Sequence, residues 1–183
     1  MLELLIEEKE LYDEYNEEFI YVPERKLKLE HSLVSISKWE SKWKKPFLKP
    51  NYVFTKDEFL DYIRCMTITQ NISEETYRWL NEYEIKIIKD YINDSHTATT
   101  FNDHSERPNK KTRQIVTSEL IYYWMSAYNI PIECQCWHLG RLLTLIRICS
   151  IKNSKPKQMS RSEVINQNKK LNEERKKLLG TKG

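Results

Sequence analysis

The stretch TSELIYYWMSAYNIPIECQCWHLGRLLTLIRICSI, residues 117–151, is the longest apolar-rich region of the chain and decides the predicted fold. It favours two helices joined at residues 129–131, where Pro131 can begin the second helix. Apolar side chains occupy nearly every direction around the second helix, which is typical of a helix buried in its own fold or against a partner. We therefore expect this pair of helices to form the core on which the rest of the chain packs.

The first helix of this pair has a predicted start and a predicted inner face. Ser118 is expected to cap it, with Glu119 near the positive end of the helix dipole. The apolar side chains predicted to line one face are those of Leu120, Tyr123, Trp124 and Tyr128.

The chain before this stretch predicts a small sheet. Residues 19–22 (FIYV) are β-prone and stop at Pro23, while Leu27 and Leu29 alternate with charged residues. A sheet of two or three strands is the expectation. A helix from Glu30 to Lys44 should follow, because apolar residues recur at helical spacing up to Trp39 or Trp43; a strand over residues 33–36 is the alternative.

Further elements are predicted from caps and periodicity. Thr55 and Glu58 fit a capping box that opens a helix over residues 56–68. Ser73 should cap the next helix, and isoleucines at 85, 88 and 92 predict a helical stripe to Asn93 after a break near residues 81–82. Residues 96–101 and 113–116 are expected to form a β-hairpin with a long polar loop.

The C-terminal segment is predicted to be a separate helix. Residues 160–163 (SRSE) fit a capping box, and Gly180 marks the end of the helix. Its apolar stripe is thin, so it should need the body or a partner for stability, or be partly disordered. The predicted fold is α+β and mostly helical. It has a small N-terminal sheet, one β-hairpin and five to six helices in a domain over residues 1–153, followed by a basic linker and helix over residues 154–183.

Charge is strongly separated along the 183 residues, although the formal net charge is only +3. The first 22 residues hold eight acids against Lys9 alone, and residues 152–183 hold ten Lys or Arg against three Glu. Such ends can be solvated separately, or they can pair within a molecule or between neighbours in an assembly.

Chemical motifs are scarce in the sequence. Cys134, Cys136 and His138 form a C-x-C-x-H run, but no second ligand pair stands at matching spacing, so structural thiols are favoured over a metal site. With only 3 glycines, the chain does not match Gly-rich phosphate loops, and the common hydrolase motifs do not occur. The sequence therefore predicts a non-enzymatic protein without a cofactor or metal.

The sequence also indicates the compartment and the class of partner. No secretory or membrane-spanning run is found, so cytoplasmic location with reduced thiols is expected. Nucleic-acid binding is a weaker alternative. The basic tail, together with Trp39, Trp43 and nearby lysines, could form a stacking surface, but the acidic N-terminal segment opposes phosphate.

Four stretches resemble a group of long-tailed bacteriophage proteins. They are residues 29–48 (LEHSLVSISKWESKWKKPFL), 62–71 (YIRCMTITQN), 117–153 and 159–183 (MSRSEVINQNKKLNEERKKLLGTKG). The group is that of the tail assembly chaperones, and the resemblance covers most of the chain in order. It implies non-enzymatic binding of the tape measure protein and recruitment of tail tube subunits in the host cytoplasm. A structural virion protein of the phage tail, neck or head is the alternative.

Candidate residues for partner binding follow from this resemblance together with the residue types. Aromatic and arginine side chains suit interface anchors, and the basic tail suits docking or self-assembly into a homo-oligomer. The candidates are Tyr122, Tyr123, Trp124, Trp137, Arg141, Lys169, Lys170, Arg175, Lys176 and Lys177. For each aromatic candidate, the alternative is that its side chain is buried in the core.

Overall fold

The computed structural model describes residues 1–13, 17–101, 115–153 and 161–180. In this part of the chain, α-helices accompany two small antiparallel sheets, which confirms the predicted α+β, mostly helical class. The strands are β1 (Leu2–Ile6), β2 (Lys9–Asp13), β3 (Glu18–Val22) and β4 (Arg25–Leu29). The helices are α1 (Leu33–Trp43), α2 (Lys56–Met66), α3 (Glu74–Arg78), α4 (Glu82–Asn93), α5 (Ser118–Ala127), a 3-10 helix (Ile132–Cys136), α6 (Leu139–Asn153) and α7 (Arg161–Leu179). The chain divides into two compact units, Met1–Ser150 and Ile151–Gly183.

Four strands form the N-terminal part, where two or three were predicted. β1 pairs with β4, and β2 forms a hairpin with β3. Leu4 faces Leu27 across the first pair, and both are buried because alternate side chains point to the same side of a strand. The two strands β1 and β2 lie in the acid-rich segment, whose mixed pattern concealed their period.

Helix α1 contacts α2, α5 and the 3-10 helix, and so lies at the centre of the core. It begins after Ser32, whose hydroxyl accepts a hydrogen bond from the Ser35 amide, a few residues later than the predicted start at about Glu30. The helical prediction for residues 33–36 is confirmed over its strand alternative. Trp39, not Trp43, occupies the fully buried position, and its indole N–H donates to the Glu58 carbonyl at 2.9 Å.

Capping explains where the next helices start. The capping box of Thr55 and Glu58 is present as predicted, although α2 ends at Met66. A second capping box, Asn81 with Glu84, opens α4 at the position where the sequence indicated only a break. Ser73 lies at the cap position of α3, but its side chain makes no hydrogen bond to the helix backbone.

The predicted strand over residues 96–101 is wrong. Residues 94–101 form no helix or strand; instead the Ser95 carbonyl lies against Gly140 and the His96 ring stacks on His138. These contacts place the segment against the start of α6. Residues 115–116 are not in a strand either, and residues 102–114 of the predicted hairpin lie outside the described residues.

The helical pair of residues 117–151 differs from its prediction in three ways. Thr117, not Ser118, is the cap residue of α5. The inner face of α5 carries Ile121 and Met125, whereas Tyr123 is 65% exposed. The second helix is divided into the 3-10 helix and α6, and Ile151 at its end is exposed. The stretch is therefore one wall of the core, and α1 takes the central place.

Helix α7 ends at Leu179 and is followed by Gly180 in the left-handed conformation (φ 62°), as the sequence predicted. Its predicted cap, Ser160, lies outside the described residues. No helix among the described residues is long and apolar enough to span a membrane.

Candidate functional site: an aromatic cleft

A cleft of about 940 Å³ lies between the loop after α1 and helices α2 and α4. One wall is the loop between α1 and α2, represented by Phe47, Tyr52 and Phe54, and the other walls come from α2 and α4, with Phe59 and Ile85. A volume of this size lies at the upper end of the range for ligand pockets and can receive several large side chains of a partner.

Glu58 holds the loop wall in place. Its carboxylate accepts hydrogen bonds from the Tyr52 hydroxyl and the Lys45 ammonium, both at 2.6 Å, and from the Thr55 amide at 2.9 Å. Hydrogen bonds from Lys45 first, and then from Tyr52 and the Thr55 backbone, lower the pKa of Glu58 to about 2. The carboxylate therefore stays ionised and the loop stays tied to the start of α2.

Ring contacts connect the aromatic side chains of the loop wall to one another and to the core. Phe47 lies 4.2 Å from Tyr62 between ring centroids, and Phe54 lies 4.9 Å from Phe47 and 5.0 Å from Tyr52. The buried Trp39 packs edge-on against Phe54 from behind, at 5.4 Å. Such contacts restrict the motion of the rings, which would reduce the entropy lost when a partner binds.

The rim of the cleft is mainly cationic. Lys56, Arg78 and Lys89 line it, against the single carboxylate of Glu82. The Lys89 ammonium lies 5.3 Å from the centre of the Phe59 ring, a cation–π distance. Val53 also lines the cleft and is 85% exposed, so an apolar side chain already faces solvent there. An apolar partner with acidic flanks would complement this rim.

His31 and Tyr62 lie at the floor and form a buried hydrogen bond. Burial first, and then the neighbouring His138 and His96, lower the pKa of His31 to about 3. Burial likewise raises the pKa of Tyr62 well above its ordinary value. General acid–base catalysis requires a group that gains and loses a proton readily near neutral pH. Neither His31 nor Tyr62 meets this requirement. The pair fits a structural floor better than a catalytic dyad.

The C-x-C-x-H run does not come together as a ligand set. Cys134 is buried and Cys136 is exposed. His138 Nε2 lies 3.2 Å from the Tyr91 carbonyl, to which it can donate, while Nδ1 accepts from the Gly140 amide at 3.2 Å. Both ring nitrogens are thus engaged in holding the start of α6. Among the described residues no group of three or more His, Cys, Asp or Glu is placed to hold a metal ion.

None of the aromatic residues predicted for partner binding lines the cleft. Tyr122 is half-buried and donates to the Gln135 side chain at 2.9 Å, whereas Tyr123 is exposed and Trp124 is half-buried. Trp137 and Arg141 do come together, with the guanidinium 4.2 Å from the ring centre. Trp137 and Arg141 also line a smaller cavity of about 260 Å³ beside His138, and the role of these candidates in partner binding stays a prediction.

The basic candidates lie on α7 and are exposed: Lys169, Lys170, Arg175, Lys176 and Lys177. The other basic surface considered from the sequence loses its aromatic platform. Trp39 is fully buried, and the Trp43 indole N–H donates to Asp61 at 2.8 Å. Trp39 is therefore not placed to stack on a nucleic-acid base, and Trp43 is half-buried.

Sequence reasoning missed the cleft residues, although one signal was present. Residues 46–54 (PFLKPNYVF) concentrate three aromatic side chains around two prolines, an unusual composition for a loop. The residues of the other walls come much later in the sequence. Asn93, for example, follows Phe47 by 46 positions. Their meeting depends on tertiary packing that no local pattern reveals.

Comparison with protein-family models, with curated proteins and with solved structures finds no match to this chain.

Proposed function

We propose that this protein is a non-enzymatic tail assembly chaperone of a long-tailed bacteriophage. In the host cytoplasm it binds the tape measure protein, keeps it soluble and helps recruit tail tube subunits. The observation that carries the proposal is the preformed aromatic cleft with its cationic rim. The resemblance of four stretches of the sequence to this group of proteins supplies the identity of the client.

The chemistry of the cleft fits a segment of an amphipathic helix. Such helices bind in apolar grooves through side chains at positions i, i+3 or i+4, and i+7. The tape measure protein is rich in coiled-coil segments, in which apolar seams are flanked by charged residues. Leucine-type side chains would fill the space between Phe54, Phe59 and Ile85, and acidic flanks would face Lys56 and Lys89.

Co-expression with the tape measure protein of the same phage tests this proposal. The wild-type chain should raise the soluble fraction of the client and form a complex that survives gel filtration. Val53→Asp and Lys89→Glu should each weaken the complex about tenfold or more. The first places a charge in the apolar cleft, and the second reverses the sign of one charge on the cationic rim.

Matched controls come from the same region of the surface. Tyr83→Asp and Lys86→Glu change exposed residues of α4 that do not line the cleft, and should leave the affinity unchanged. A client whose solubility and elution are the same with and without this chain would overturn the proposal. Stoichiometric presence in purified virions, measured by mass spectrometry, would also overturn it in favour of a structural role.

A further inference from the structure

The β2–β3 hairpin presents three aromatic side chains to solvent on one face. Tyr12 and Phe19 are directly opposite in the register, with ring centroids 5.1 Å apart, and Tyr21 lies two residues further along β3. Their exposed fractions are 50%, 72% and 62%. Large aromatic side chains are seldom left together in water on a stable surface, and such a cluster is typical of an interface.

The other face of the hairpin already has a structural role. Leu11 and Ile20 are half-buried against the core, and Val22 is buried. The aromatic face is therefore not a core face turned outward by a shift of register. Its surroundings are acidic: Glu7, Glu8, Glu10, Glu17 and Glu18 are all exposed. Lys9 also lies on this hairpin, and its ammonium is 3.5 Å from Glu84.

Helix α7 has the complementary chemistry. The exposed residues of its described part include five cations, at positions 169, 170, 175, 176 and 177, against Glu173 and Glu174. Leu171 and Leu178, which are 42% and 85% exposed, lie seven residues apart and therefore on the same side of the helix. They are about 10 Å apart along the axis, comparable to the roughly 7 Å between Phe19 and Tyr21 along their strand.

We propose that the aromatic face of the β2–β3 hairpin binds helix α7 of a second copy of this chain. Leu171 and Leu178 would pack on the Tyr12, Phe19 and Tyr21 rings, and Arg175 between them would lie over an aromatic face. Lys170 and Lys177 would approach the glutamates that surround the rings. Because the two surfaces differ, the contact is heterologous and leads to a ring or a growing chain of subunits.

Analytical ultracentrifugation of the full-length protein tests this inference without any client. Association should increase with protein concentration and should be much weaker at about 0.5 M salt than at about 0.05 M, because exposed charges are screened. Glu8→Lys with Glu10→Lys on the hairpin, or Lys170→Glu with Lys177→Glu on the helix, should each reduce the association constant about tenfold or more. Combining all four substitutions should restore it.

An aromatic variant provides a second measurement. Phe19→Ser with Tyr21→Ser should abolish association, whereas Tyr83→Ser, which removes an aromatic ring of equal exposure elsewhere, should not. A monomer at all concentrations overturns the inference. So does association that is lost with the helix variants but not with the hairpin variants, since α7 would then pair with α7. Failure of the fourfold variant to recover association also overturns it.

Discussion

The Glu40 carboxylate of α1 caps helix α5 from 78 residues away. Its Oε2 accepts a hydrogen bond from the Ser118 amide at 2.7 Å, and its Oε1 accepts from the Phe47 amide at 2.8 Å. Glu40 is buried, so one side chain satisfies a free amide at the start of α5 and another at the start of the cleft wall. The carboxylate thereby links the aromatic loop, α1 and α5.

Replacing Glu40 with Gln should destabilise the protein by about 2 kcal/mol. An amide offers one oxygen where two backbone donors need acceptors, and its NH₂ group would face one of them. Urea unfolding followed by circular dichroism measures the effect. Glu133→Gln, at an exposed position, is the control and should change the free energy of unfolding by less than about 0.5 kcal/mol. Equal stability of the two variants would contradict this role of Glu40.

A comparison of this cap with others shows which helix ends can be predicted from the sequence. The Thr55–Glu58 capping box and the end of α7 at Gly180 depend on residues within one turn, and both were predicted. Ser118 was the expected cap of α5 because its residue type is suited to that role. The side chain that accepts a hydrogen bond at the start of α5 is instead that of Glu40, which takes it from the Ser118 amide. Glu40 is distant in sequence, and no residue near position 118 indicates this contact.

The inner face of α5 gives a second prediction. Ile121→Ala should cost about 2–5 kcal/mol, because it leaves a cavity at a fully buried position. Tyr123→Ala should change the free energy of unfolding by less than about 0.5 kcal/mol, because that ring is mostly exposed. Chemical denaturation of both variants measures the difference. The opposite order would mean that the face predicted from the aromatic residues is the buried one.

The sequence misassigned this face for a physical reason. Apolar side chains surround α5 on most sides, so periodicity alone did not select Ile121 and Met125 over the larger aromatic residues. The packing of α1 against α5 decides the orientation. The cleft was missed for a similar reason, since Phe54 and Ile85 meet only when the loop and α4 are both in place.

Gly140 provides a third prediction. A Cβ atom at this position would lie 2.6 Å from the Ser95 carbonyl oxygen, which belongs to the backbone and has to move. This overlap should cost more than the roughly 1 kcal/mol that alanine gains over glycine in a helix. Gly140→Ala should therefore show a net destabilisation of about 1–3 kcal/mol.

Hydrogen exchange locates this effect. Amides of residues 95–101 should exchange faster in Gly140→Ala, because the carbonyl displaced by the new methyl group is in that segment. Ser150→Ala, at an exposed position of the same helix, should leave their exchange unchanged. If Gly140→Ala is more stable than the wild type, helix propensity outweighs the overlap and the close approach of Ser95 does not matter.

The buried histidines make stability depend on pH. His31 lies 5.0 Å from His138, and His138 stacks on His96 at 4.2 Å, all between ring centroids. Burial, aided by these neighbours, lowers the pKa of His31 to about 3 and also lowers that of His138. The unfolded chain therefore binds more protons than the folded chain between pH 6.5 and pH 3. The contribution of neutral His31 is complete above pH 6.5 and is lost as the pH falls toward 3.

The free energy of unfolding should thus decrease by about 2 kcal/mol between pH 6.5 and pH 5 from His31 alone. Glu58, whose pKa is lowered to about 2, loses its contribution only below about pH 4.5, so urea titrations from pH 7 to pH 5 isolate the histidines. His31→Gln keeps an acceptor for Tyr62 but cannot be protonated. It should lower stability at pH 7 and flatten the dependence on pH, and an unchanged slope would show that His31 does not carry it.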